Sequence, residues 1–254
     1  MRFPYAFALF CLTPLLGRAA TDGISPEAAL EDPARPHEEV ALDPLRKPAA
    51  VIEFAGIKPG ERVADFMSGN GYFTRILSQI VGPSGHVYAY LPSEQLARCA
   101  PQETAGTRTL VREAHYGNVT LLTGAAADFA APEPLDLVWT AQDYHDLHDE
   151  FMAPTNVARF NAAVFRALKP GGVYLIIDHA AQADSGLRDT ETLHRIDPRA
   201  IKSEVTAAGF VLERESALLA NPRDAHTLAV FDPAIRHHTD QVILLFRKPG
   251  AAAR

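Results

Sequence analysis

The stretch Arg62–Val63–Ala64–Asp65–Phe66–Met67–Ser68–Gly69–Asn70–Gly71–Tyr72–Phe73–Thr74 decides how this chain folds. Its first five residues are short, largely apolar and preceded by Lys58–Pro59–Gly60, the profile of a strand that starts after a turn. Two glycines at alternate positions follow. Tyr72 to Val81 then places Phe73, Ile76, Leu77 and Ile80 on one helical face. A strand that turns through glycine into a helix is a place where backbone can approach a ligand, because glycine lacks a Cβ and tolerates positive φ.

The same alternation continues outward. Residues 49–55 read as a helix closed by Gly56, and His86 to Leu91 as a second strand after the Gly82–Pro83–Ser84–Gly85 turn. Ser93 to about His115 is helical in pieces, Val119 to Leu122 a third strand, Leu135 to Thr140 a fourth, and Glu150 to Leu168 a long helix. Lys169–Pro170–Gly171–Gly172 stops that helix, and Val173 to Ile177 is a continuous apolar strand of the kind buried on both faces. Alternating strands and helices imply a parallel sheet covered on both sides. The end departs from the pattern. A helix at Pro198 to Ala208 is followed by strands at Phe210 to Glu215 and Gln241 to Arg247, with no convincing helix between them, so these two strands pair antiparallel. The fold class expected is therefore α/β, doubly wound and Rossmann-like, with a mostly parallel seven-stranded sheet and an antiparallel C-terminal strand.

Composition narrows the classes of function. The chain has 254 residues, of which 47% are hydrophobic and 22% charged, with a formal net charge of −7. No stretch gathers Lys and Arg into a stripe, which argues against nucleic acid as a partner and for a small-molecule substrate. Met1–Arg2, the apolar run Phe3 to Leu16 and the small residues after it read as a signal peptide over residues 1–20, implying export to the periplasm. That run is too short for a comfortable bilayer span, and no other run is long enough, so no integral membrane span is expected. Loss of Cys11 with this segment would leave Cys99 alone, without an internal disulfide. Residues 21–48 contain five prolines and read as an extended arm with short helices at most, which either covers an active-site mouth or links the export signal to a domain at 49–248. Residues 249–254 are a tail.

The segment from Val63 to Thr74 resembles the first motif of class I S-adenosylmethionine (SAM) methyltransferases, a hydrophobic residue and Asp followed by two spaced glycines. Leu168–Lys169–Pro170–Gly171–Gly172 resembles the turn before strand five of that superfamily, and the closing strand pair resembles its reversed hairpin. Asp143–Tyr144–His145–Asp146 and Leu193–His194–Arg195–Ile196–Asp197–Pro198 are similar to segments of a bacterial group of exported methyltransferase-like proteins. The resemblance implies SAM as cofactor, held by Asp65, Ser68, Gly69, Asn70 and Gly71, with Asp65 on the amino end of the methionine moiety. Helix N–H groups beyond Gly71 would meet its carboxylate. The acidic residue that ends strand two in the superfamily and holds the ribose is absent: Leu91 and Pro92 stand there. Glu94 is the nearest substitute, and Asp128, later than the usual acidic position after strand three, is counted with the cofactor-binding residues.

Ligands of open parallel sheets sit beyond the carboxyl ends of the strands. That places Tyr144, His145 and Asp146 after strand four, and His179 after strand five, as the catalytic candidates: a hydroxyl to orient, imidazoles to accept a proton, a carboxylate to set a tautomer. Asp146 or Asp149 could instead cap the helix beyond. His145, His148, Asp178, His179 and His194 also suggest a metal site, and Asp143 with Asp178 could imitate the magnesium carboxylates of catechol-type enzymes. Magnesium prefers all-oxygen sites, imidazoles suit zinc or iron, and His145-x-x-His148 lacks a defined partner spacing, so no metal ligand is assigned. Arg195 could bind an acidic substrate group or pair with Asp197. Against the leading expectation of a methyltransferase stand an exported non-catalytic binding protein on the same fold and, last, a nicotinamide oxidoreductase, which would want a third glycine where Phe73–Thr74 follow Tyr72.

Overall fold

The computed structural model describes residues 23–152 and 155–250, so the expected signal segment at 1–20 and the end of the tail lie outside the described residues. The arm contributes α1 (Pro26–Leu30), α2 (His37–Val40) and α3 (Asp43–Arg46) before α4 (Pro48–Ala55). The core alternates β1 (Arg62–Phe66), α5 (Tyr72–Val81), β2 (His86–Pro92), α6 (Ser93–Arg98), α7 (Ala105–Leu110), β3 (Val119–Gly124), β4 (Leu135–Ala141), α8 (Val157–Ala167) and β5 (Leu168–His179). The chain then forms α9 (Thr190–Leu193), α10 (Pro198–Ala207), β6 (Val211–Ser216) and β7 (Gln241–Arg247). Among the described residues no helix is long and apolar enough to cross a membrane.

The seven strands run in the order β3-β2-β1-β4-β5-β7-β6. β1 to β5 are parallel, while β7 pairs antiparallel with both β5 and β6. The expected doubly wound sheet and reversed C-terminal strand are both present. β1 and β4 are neighbours although they are distant in sequence, so the winding reverses between them. The loops leaving two neighbouring strands there go to opposite faces and leave a crevice at the carboxyl edge.

Period-two alternation divides the core. On β5 and β7, Tyr174, Ile176, Leu244 and Phe246 pack with Phe66, Phe129, Phe160 and Ile201 on the face covered by α8 and α10. Leu175, Ile177, Ile243 and Leu245 pack with Val51, Ile52, Ile76, Leu77 and Trp139 on the face covered by α4 and α5. The helix expected from Glu150 starts later. Glu150–Met152 is a short 3-10 turn, and α8 begins at Val157, where the Asn156 side chain accepts from the Arg159 N–H. Neither Asp146 nor Asp149 caps it, because Asn156 stands at the required position and offers a neutral amide oxygen.

Gly71 shows why the β1–α5 turn needs its glycine. It sits at φ 89° at the start of α5, and a Cβ there would stand 2.4 Å from Leu110 Cδ2. Gly71→Ala combines left-handed backbone strain with overpacking and is expected to destabilise the protein by about 2 to 4 kcal/mol, read as a lower urea midpoint.

Candidate active site at the carboxyl edge of the sheet

A cavity of about 980 Å³ opens at the switch point. One end is lined by Asp65, Met67, Ser68, Gly69, Asn70, Gln95 and Glu103, the other by Asp143, His145, Asp146, His179, His194 and Phe231. Glu39, Leu42 and Arg46 of the arm also line it, so the arm folds over the site rather than trailing from the domain.

Asp65 lies one residue before the end of β1, buried, and its carboxylate accepts from the Thr74 hydroxyl at 2.5 Å. Burial pushes its pKa up to about 7 against the pull of Thr74 and of Arg46. The turn beyond it is fixed from several sides. Ser68 N–H donates to Tyr90 O, Asn70 Oδ1 accepts from Gly106 N–H at 2.9 Å, and Arg75 donates to Asn70 O at 2.8 Å. Gly69 has φ 52°, and Met67 has φ 56° although it is not glycine. Left-handed backbone outside glycine persists where its surroundings hold it, and often at ligand sites. Gly71 does not line the cavity; its place in the turn is conformational.

The arm is attached to this turn by charge. Asp43 accepts from Arg35 at 2.7 and 2.8 Å and from the Tyr72 hydroxyl at 2.6 Å, while Arg75 forms a buried ion pair with Glu39. Arg46 lies 4.5 Å over the Tyr72 ring and reaches Gln142 Oε1.

Of the expected ribose ligands, none faces the cavity. Leu91 is fully buried, Glu94 accepts from Ala126 N–H at 3.1 Å, and Asp128 pairs with Arg159 at the surface. Asp128 is thus corrected from cofactor ligand to surface ion-pair partner, because its turn ends on the α8 side of the sheet. Gln95 is the residue that the sequence did not single out. It is buried on the cavity wall, and its Oε1 has no hydrogen-bond partner among the described residues.

At the other end, Asp178 on β5 is fully buried and accepts from His145 N–H, His145 Nδ1 and His179 N–H at 2.7 to 2.8 Å. His145 Nε2 then faces Asp146 Oδ1 at 3.0 Å. Burial opposes a charge on His145, but Asp178 and Asp146 outweigh it and hold its pKa well above the usual histidine value. Burial pulls His179 down to about 3, leaving it neutral, with Nδ1 2.8 Å from the Thr239 hydroxyl. Burial, followed by the Asp146 charge, drives Asp143 well above the ordinary carboxylate range.

Tyr144 is not at the cavity. Its ring is fully buried in the α8 and α10 face, where its hydroxyl donates to Glu204 at 2.9 Å and accepts from Asn161 at 2.8 Å. Successive residues of the 3-10 turn point in different directions, so His145 takes the cavity and Tyr144 the core. His148 shares Glu204 with Tyr144 and likewise faces away from the cavity. Arg195 is fully buried and pairs with Asp224 at 2.8 Å, not with Asp197, and donates to Leu228 O and Ala180 O. It holds the loop before β7, whose Val230 and Phe231 close one side of the cavity.

No family model matches the chain. In sequence it is 28% identical over 128 residues to a protein-L-isoaspartate O-methyltransferase of Ignicoccus hospitalis, covering 50% of this chain and 52% of that one. It is 26% identical over 194 residues to a ubiquinone/menaquinone biosynthesis C-methyltransferase of Teredinibacter turnerae, covering 76% of this chain and 67% of that one. The chain thus spans between about half and two thirds of the curated relatives it matches. In structure it is similar to a SAM-dependent methyltransferase from Aquifex aeolicus, with TM-score 0.55, 19% identity, and coverage of 89% of this chain and 99% of that one. The fold is the Rossmann-like methyltransferase fold.

Asp65 carries a stability cost that can be measured. Its folded pKa of about 7 lies above the ordinary carboxylate value, so folding favours the protonated form. The resulting advantage is present at low pH and is lost as pH rises from about 4 to 7. Asp65→Asn, neutral throughout, is therefore expected to raise the Tm of the unliganded protein at pH 8, by up to about 4 kcal/mol in stability, with the gain vanishing near pH 4. Thermal scans of both proteins across this range test it.

Proposed function

We propose that the chain is a SAM-dependent methyltransferase acting on a small or medium-sized acceptor. The observation that carries this reading is a buried, otherwise ion-pair-free carboxylate, Asp65, at the end of β1 beside a glycine turn and a cavity that continues into a second polar lobe. The relatives in sequence are methyltransferases, which supports the reading.

The residues present fit the cofactor. Asp65 would accept from the ammonium of its methionine part, Arg46 stands near enough to meet its carboxylate, and the backbone of Ser68 to Asn70 gives a surface free of bulky side chains. The unpartnered Gln95 Oε1 would accept from a ribose hydroxyl in place of the missing acidic residue. SAM supplies a sulfonium methyl that carries its own leaving group, so the protein's share is to orient the acceptor, remove water and manage a proton. Asp143, His145, Asp146 and His179 surround the acceptor's lobe, and Phe231 offers an apolar wall. The net charge of −7 and the acidic lining of the lobe favour a small molecule over nucleic acid. The pattern of residues 1–20 supports export to the periplasm as part of this proposal, with cell fractionation as its test.

Calorimetry with SAM tests the cofactor assignment. Binding is expected for the full chain, with at least a tenfold loss in Asp65→Ala and a smaller loss in Gln95→Ala. Because Asp65 must be ionised to accept from an ammonium, affinity is expected to fall about tenfold per pH unit below pH 7, and Asp65→Asn should lack that dependence. If neither SAM nor its demethylated product binds at millimolar concentration, the methyltransferase reading is wrong.

A further inference from the structure

Four donors converge on the wall of the acceptor's lobe. His145 Nε2, Asp146, Asp149 and His194 Nδ1 bring one ligand atom each to within 4.8 Å of one another. His145 Nε2 lies 3.0 Å from Asp146 Oδ1 and 3.4 Å from His194 Nδ1, while His194 Nδ1 lies 3.6 Å from Asp146 Oδ1 and 3.7 Å from Asp149 Oδ2. An ion about 2.0 to 2.2 Å from each donor would set them about 3.4 Å apart in a tetrahedron and about 3 Å apart at right angles. The four separations run from that range to a few tenths of an ångström above it, and no pair of the set is more than 4.8 Å apart.

Asp149 supplies the independent observation. It is 2% exposed, and neither carboxylate oxygen has a hydrogen-bond partner among the described residues. The nearby Thr190 hydroxyl donates to Leu187 O instead. A buried carboxylate without donors is satisfied by taking up either a proton or a cation, and the two imidazoles and the Asp146 carboxylate beside Asp149 make a cation the partner that serves all four groups. No Lys or Arg side chain among the described residues bonds Asp146 or Asp149. Asp178 completes the arrangement: it accepts from His145 Nδ1 at 2.8 Å, which turns Nε2 toward the other three donors, where an ion would replace the Nε2 proton. A carboxylate behind a ligating imidazole is the usual support of a metal-bound histidine.

We propose that His145, Asp146, Asp149 and His194 bind one divalent first-row transition ion of the zinc or iron type, with Asp178 as the positioning residue. Two imidazoles exclude a preference for magnesium or calcium, and two carboxylates with two neutral imidazoles balance a double positive charge. His145, Asp146 and His194 also line the cavity, so the ion faces it and leaves coordination positions for an oxygen of the acceptor. That last step rests on the methyltransferase reading; binding of the ion does not.

The test loads full chain, without an affinity tag of histidines, with zinc alone, removes excess ion, and measures metal per chain by atomic emission. Cobalt loading adds a visible absorption that reports imidazole and carboxylate coordination. One ion per chain is expected, with affinity at least tenfold weaker in Asp149→Asn and His194→Ala, and 10- to 100-fold weaker in Asp178→Asn. His148→Ala, next to the cluster in sequence but facing Glu204, should keep the ion. If Asp149→Asn fails to fold by circular dichroism, His194→Ala carries the comparison, since that side chain is partly exposed. Sub-stoichiometric metal in the folded wild type, or equal loss in His148→Ala and His194→Ala, overturns the proposal. Metal binding without SAM binding would keep this site and remove the methyltransferase reading, and the converse would do the reverse.

Discussion

The carboxylate of Asp178 organises the carboxyl edge of the sheet. A fully buried charge must be met by donors, and three N–H groups meet this one: two from His145 and one from His179. β4 and β5 are parallel neighbours, paired up to Ala141 and Ile177, so the chain leaving β4 passes directly over the end of β5. Asp178 captures it there. The direction of the His145 imidazole, the exposure of its Nε2 to Asp146, and the turning of Tyr144 into the core all follow from that capture.

The glycine end of the cavity is constrained differently. Its backbone holds left-handed conformations at Met67 and Gly69, and the sheet alone would not keep them. The surroundings do: Asn70 is fastened to α7 through Gly106 and to α5 through Arg75. Arg75 in turn reaches Glu39, and Tyr72 reaches Asp43, so the arm is fastened to the same turn. A cavity wall made from an N-terminal arm joins cavity access to the integrity of a few ion pairs. These pairs are largely buried, so removing one partner would leave an uncompensated buried charge.

The two ends therefore contrast in charge. One offers a lone buried carboxylate and an unpartnered amide oxygen, suited to a ligand that brings hydrogen-bond donors and a positive charge. The other gathers four aspartates and three histidines around a small volume, where burial drives Asp143 toward its protonated form and leaves His179 neutral. Many chemistries use this fold, so the distinction between its users lies in such side-chain sets and not in the sheet.

Strand and helix order, the glycine turn and the reversed last strand were all legible in the sequence, because each depends on local pattern: apolar period, glycine placement and chain stops. Asp65, Ser68, Gly69 and Asn70 were legible for the same reason, since they are contiguous and their turn carries them together to one place. Contiguity misled at the next loop. Tyr144, His145 and Asp146 are consecutive, yet a 3-10 turn rotates each by about a third of a circle, and which faces the cavity is decided by distant partners, Asp178 for His145 and Glu204 with Asn161 for Tyr144. Gln95, Arg46 and His194 carry no spacing signal, because separate elements bring them to the cavity and to the cluster on its wall, whereas Asp149 closes the same turn as His145. Local covalent and steric limits set the fold. The set of charges that meet at its carboxyl edge was decided only when neighbouring strands, the arm and the long loop before β7 closed around the same cavity.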